Sequence, residues 1–186
     1  MSTSKTKWVI DPTHSEIGFK IRHLMITNVS GTFGKVDITA ETEGDNFTTA
    51  NVNVKIEVDS ISTHNSQRDE HLRNADFFEV AKFPYLTFKS SRIEKVDDEN
   101  FTLVGDLTIK ETTKPVELKL EFGGVTKDPW GGSRAGFSLS GKINRHDFGV
   151  SYNPVLETGG VALGEEIKIW GDVELVKQAV QEAVAA

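Results

Sequence analysis

The feature that most constrains this chain is alternation. Apolar side chains recur at every second position in one stretch after another, the spacing by which a β-strand dries one face and wets the other. The pattern is cleanest over Ala50–Asp59, where Val52, Val54, Ile56 and Val58 alternate with Asn51, Asn53, Lys55, Glu57 and Asp59. Ser15–His23 sets Ile17, Phe19, Ile21 and His23 against Glu16, Gly18, Lys20 and Arg22. Trp8–Asp11 is a short apolar entry closed by Pro12. Further strands are read over Ser30–Glu41 with Phe33 and Ile38, where Gly31 and Gly34 mark a bend or bulge near the start, from Pro84 with Leu86 and Phe88, and over Phe101–Ile109 with Leu103 and Leu107. Three more carry Val116, Leu118, Leu120 and Phe122; Ala135, Phe137, Leu139 and Ile143; and Ile167, Ile169, Val173 and Leu175, with Trp170 on the opposite face. Short turns join nearly all of them. Eight antiparallel strands in simple order close into a barrel that is either filled or holds one small ligand.

One stretch before the C-terminal tail breaks the alternation. Asn65–Phe78 reads as a short helix over about 66–74, with Ser66 as its cap, Asp69 in the first turn, and Phe77 and Phe78 as an apolar plug. Asn144–Glu165 is long, glycine-containing and irregular, yet carries Phe148, Tyr152, Leu156 and Val161, so it reads as a flap over something apolar. Val176, Val180, Ala183 and Val184 recur at helical spacing. The expected organisation is a single all-β barrel domain over 7–176, a disordered leader over 1–6 and an amphipathic helical tail over 177–186. That tail either docks on the barrel or pairs two subunits.

Composition removes several functions. A chain of 186 residues fits one domain with a substantial core, and without cysteine it has neither disulfides nor thiolate metal sites. A net charge of −7 with no basic run argues against nucleic acid and against anionic membrane surfaces. There is no transmembrane run, and no apolar segment follows Lys5 and Lys7. The expected location is cytoplasmic, or periplasmic if a leader has been removed.

The polar residues show no catalytic or metal-binding pattern. His14, His23, His64, His71 and His146 lack the paired spacing of a metal site. Asp11, His14 and Ser15 are close in sequence, but neighbours on a strand point to opposite faces, and no nucleophile elbow is present. No cofactor is implied. Arg68 stands at the helix start, where it and free backbone N–H groups can receive an anionic head group. Phe19, Phe33, Phe88, Phe101, Phe122 and Phe137 fall on dry faces. They are either an ordinary barrel core or the lining of a space, with the small Gly105 and Gly141 leaving room for an extended apolar tail.

The residues also carry a resemblance. The opening Trp8-x-x-Asp11-x-x-His14-Ser15-x-x-x-Phe19-x-x-x-His23-Leu24 is followed by Gly31-x-Phe33 and by Arg68-Asp69-x-His71-Leu72-x-x-x-Asp76-Phe77-Phe78. Phe83-Pro84, Phe88-x-Ser90, Gly105-x-Leu107-Thr108-Ile109, Thr113-Lys114-Pro115-Val116 and Arg145-x-Asp147-Phe148-Gly149 complete it. Together they resemble the YceI-like, polyisoprenoid-binding, lipocalin-like family over about Trp8 to Leu175. The resemblance implies an elongated eight-stranded barrel, partly closed by a helix, that binds a long isoprenoid or other amphiphilic lipid. Many members are periplasmic, so the missing signal is a departure, as is Glu111 where the family commonly has glycine. The expected ligand-binding set is Ile17, Phe19, Ile21, His23, Phe33, Arg68, His71, Leu72, Phe88, Leu107, Leu120, Phe137 and Phe148. Rival readings are an enzyme acting on a lipid or amide through the histidine and carboxylate groups, and a homodimeric interaction module built on the tail.

Overall fold

The computed structural model describes residues 4–154, 156–157 and 160–179. Eleven β-segments form one antiparallel sheet: β1 (Lys5–Ile10), β2 (Glu16–His23), β3 (Thr27–Phe33), β4 (Val36–Glu43), β5 (Asn46–Glu57), β6 (Ile61–Ser62), β7 (Tyr85–Lys95), β8 (Asn100–Ile109), β9 (Thr112–Lys127), β10 (Ser133–Asn144) and β11 (Leu163–Lys177). The helix α1 (Ser66–Arg73) lies between β6 and β7. The sheet closes where β1 meets β11, with Trp8 opposite Lys177 and Ile10 opposite Leu175.

Each of the first three strands is broken in two. β1 and β2 both run along β11. Between them Pro12 removes a ladder donor, and Asp11 caps the 3₁₀ turn Pro12–His14 by accepting from Thr13 N at 2.9 Å. β4 pairs with β1 while β3 pairs with β2, and β5 and β6 repeat the division against β4 and β3. Two of the breaks are tied together: Gly34 N donates to Ser60 O at 3.1 Å and Lys35 N to Ser60 Oγ at 3.0 Å. Counted with each broken strand as one, the eleven segments make eight strands in sequence order round a closed barrel. Ser30–Glu41 is therefore not one strand but parts of two, because alternation resumes on both sides of Gly34.

Three boundaries differ from the sequence reading. β1 begins at Lys5, and Thr6 is buried, so the strand starts inside the stretch expected as a leader. Val176 and Lys177 extend β11 rather than starting a tail helix, and residues 180–186 lie outside the described residues. The cap of α1 is Asn65, whose side chain accepts from Arg68 N at 3.0 Å. Asp69 lies in the first turn, as expected, and is buried there, accepting from Thr63 N at 2.8 Å. A buried carboxylate needs donors, and Thr63 supplies them.

Register fixes the two ends of the barrel. His23 pairs with Leu163, and Ile109 and Asn144 end their strands on the same side, beside α1 and the 145–162 segment. The far end is shut by aromatic packing. Trp8 is fully buried, and its Nε1 donates to Thr42 Oγ1 at 3.0 Å. Phe47 lies 5.0 Å from the Trp8 ring and 5.0 Å from Phe137, which stacks on Phe122 at 5.0 Å.

Candidate functional site

The inward-facing side chains do not meet in the middle. They enclose a cavity of about 450 Å³, within the range of small-ligand pockets. Ile21, Val29, Val52, Val54, Leu120 and Ile169 line it and are only half-buried, although they point away from bulk solvent. In a filled core such side chains are sealed by their neighbours.

Glycines help to hold the space open. A Cβ on Gly31 would lie 2.5 Å from Phe19 Cζ, one on Gly105 2.5 Å from Phe88 Cζ, and one on Gly141 2.5 Å from Leu118 Cδ2. Each glycine lets a large side chain lie over backbone, along the wall rather than across the lumen. Gly105 and Gly141 therefore do not leave open space beside themselves, as the sequence reading has it. Phe88 and Leu118 take that space.

Of the expected binding set, Ile17, Phe19, Ile21, His23, Phe33, Arg68, His71, Leu72, Phe88, Leu107, Leu120 and Phe137 line this one cavity. Phe148 does not. It is 2% exposed, in the buried cluster with Phe77, Phe88 and Val150. Its position just after Arg145, in a 3₁₀ turn ending at the left-handed Gly149, turns the ring into that cluster.

The opening is at the α1 end. Among the lining residues Arg68, Tyr152 and Pro154 are exposed, and all three stand there. Arg68 donates through Nε to Thr63 Oγ1 at 2.8 Å and through Nη2 to Thr63 O at 2.7 Å. Among the described residues it makes no ion pair, and Thr63 Oγ1, which donates to Asp69 Oδ1, bridges it to that carboxylate. His71 Nε2 lies 2.8 Å from Asp76 Oδ2. The rings of His71, Phe77 and Tyr152 meet edge-on, with centroids 5.0 Å, 5.2 Å and 5.3 Å apart. Helix, plug and flap thus share one aromatic contact at the mouth.

Arg145 is the site residue that sequence reasoning missed. It lines the cavity yet is 3% exposed. Its Nε donates to Gly164 O at 2.9 Å, and its Nη1 to Val150 O at 2.8 Å and Tyr152 O at 2.9 Å. The second terminal nitrogen, Nη2, is buried without a partner among the described residues. Burial pulls its pKa below the usual arginine value, while the charge of Glu165 acts the other way. Arg145 staples the flap to the start of β11. The signal available was an arginine among apolar flap residues, but its three carbonyl partners come together only in the fold.

A second polar cluster lies outside the cavity. Asp11, His14 and Glu174 bring ligand atoms within 4.8 Å of one another. Arg134 already serves them as cation: Nη1 donates to Asp11 Oδ2 and, at 3.3 Å, to Glu174 Oε1, while Nε donates to Asp128 Oδ2 at 3.0 Å. A metal ion there would have to displace a guanidinium. Hydrogen bonds from Thr13, His14 and Arg134 hold the Asp11 carboxyl well below the usual carboxylate range. Ser15 Oγ accepts from Glu174 N at 3.0 Å and so braces the strand break instead of joining His14 in chemistry.

No helix among the described residues is long and apolar enough to cross a membrane. A UPF0312 protein of Staphylococcus epidermidis is 41% identical over 170 residues, covering 91% of this chain and 96% of its own length. The crystal structure of the Campylobacter jejuni YCEI protein is 34% identical and superposes with a TM-score of 0.73, covering 91% of this chain and 96% of that one. A domain from Saccharophagus degradans described as polyisoprenoid-binding shares the fold at a TM-score of 0.64 and 12% identity, over 93% of this chain and 98% of that one. The model of the YceI-like domain matches residues 8–175. With this match spanning nearly the whole barrel, the chain belongs to the YceI-like domain family.

Proposed function

We propose that this protein binds a long-chain isoprenoid or related amphiphile, of the polyprenyl phosphate or quinone type, and carries or sequesters it without chemical change. The observation that carries the reading is the lumen. It is apolar along its length, closed by aromatic rings at one end, and polar only at the mouth. A chain of carbons fits such a space tail-first, with its head at Arg68 and His71. About ten buried methylenes contribute roughly 8 kcal/mol, the scale of a micromolar Kd before association costs. Arg68 favours an acidic head because, among the described residues, it makes no direct ion pair and reaches the Asp69 carboxylate only through Thr63. The Saccharophagus degradans domain lends support through its description, and family membership lends more. His14 stands outside the lumen that His23 and His71 line, which supports binding over catalysis by the three together.

The test is native mass spectrometry after incubation with a prenyl phosphate, the matching prenyl alcohol and a prenyl quinone. Discrete one-to-one adducts are expected, strongest with the phosphate and weakened by Arg68→Gln. A protein that takes up none of the three would refute the reading.

A further inference from the structure

We infer that the open end of the barrel docks on a lipid bilayer through the β2–β3 hairpin tip. The inference rests on the lipid-carrier reading and adds the surface by which the lumen is loaded. Leu24, Met25 and Ile26 form that tip and are 40%, 52% and 78% exposed. Leu24 and Met25 take positive φ angles of 51° and 58°, a costly conformation for such side chains. The tip is nonetheless held in place. Leu24 N donates to Ala162 O at 2.7 Å, and Arg22 Nε donates to Met25 O at 3.2 Å. Beside it on the flap, Val161 and Tyr152 are 42% and 37% exposed. Five of the nine large hydrophobic side chains exposed among the described residues therefore sit around one end of the barrel. That is the end at which the apolar cavity opens, and Tyr152 belongs to both surfaces.

Charge at the rim fits the same partner. The net charge of −7 argues against a contact held by charge of the whole chain, so the apolar tip carries the contact and local cations orient it: Arg22 behind the tip and Arg68 across the mouth make no ion pair among the described residues. The outward Lys20 and Lys168 face each other across the β2–β11 ladder, also without ion pairs among the described residues. Cations set behind an apolar tip match a bilayer, where phosphates overlie acyl chains. Docked this way, the tip buries apolar surface in the acyl boundary and the mouth faces the layer that holds the ligand. The lipid then enters the lumen without crossing water.

The experiment is flotation of the full-length protein with phosphatidylcholine vesicles and with vesicles containing phosphatidylglycerol, together with transfer of a fluorescent prenyl lipid between vesicles. Wild-type protein is expected to float with both, more with the anionic set. The double variant Met25→Asp, Ile26→Asp should lose at least about tenfold in vesicle binding and transfer rate, while one-to-one lipid adducts in native mass spectrometry persist. If that variant misfolds, Met25→Trp serves instead, and its fluorescence should shift to the blue on adding vesicles. A wild type that never floats, a double variant that transfers lipid at the wild-type rate, or a tip whose loss changes only self-association would overturn the inference. Loss of the adducts themselves would count against the carrier reading.

Discussion

Arg145 stands at the turn after β10 with its guanidinium bonded to the carbonyls of Val150, Tyr152 and Gly164. Removing it strips charged donors from three carbonyls at once, and each such loss is costly where water cannot follow. Arg145→Ala is expected to destabilise the fold by roughly 2–4 kcal/mol in urea unfolding, and to expose residues 150–152 to hydrogen exchange. Asp11 gives a pH dependence of definite sign. Hydrogen bonds from Thr13, His14 and Arg134 hold its folded-state pKa below the ordinary carboxylate value of about 3.9, so its contribution to stability is present above about pH 4 and is lost as pH falls toward the lower value. Thermal unfolding followed from pH 5 to pH 2 should show that loss, and Asp11→Asn should flatten it. Asp97 and Asp128, also depressed, add to the acid-side slope in the same direction.

At the scale of elements, the mouth is built where three pieces of chain meet: α1, its Phe77–Phe78 plug and the flap. Their shared contact is the edge-on group of His71, Phe77 and Tyr152. Truncating Tyr152 to Ala removes one member without touching the barrel. Release of a bound fluorescent prenyl lipid should quicken by about tenfold, the scale of one aromatic pair, while the melting temperature changes little. The strands and the helix were legible because alternation and its interruption are local properties of the sequence. The strand breaks were legible only in part: Pro12 and Gly34 mark where two of them fall, but not how the pieces pair. Apolar and polar positions alternate on both sides of Gly34, and only the pairing of β3 with β2 and of β4 with β1 separates them. Asp69 shows the same limit. It is the first-turn carboxylate that the spacing indicates, but its burial against Thr63, six residues earlier and outside the helix, is set by the fold.

At the scale of the whole molecule, one closed sheet does two things. Its far end is a packed core around Trp8, and its middle is a space. Binary pattern identified which residues face inward but not whether they touch, since a filled and an open barrel share that pattern. What decides it is the diameter of an eight-stranded ring together with glycines that let Phe19, Phe88 and Leu118 lie along the wall. Filling the space should therefore cost binding before it costs folding. Leu120→Trp, at a half-buried lining position, is expected to weaken prenyl-lipid binding by at least about tenfold, with a cooperative melt retained.

The most direct measurement is anomalous diffraction from crystals soaked with a long-chain prenyl phosphate brominated at its tail. One bromine peak is expected inside the barrel near Phe47 and Phe137, with the head at Arg68. A bromine found on the outer surface, or side chains interlocked across the lumen with no room for a carbon chain, would contradict it.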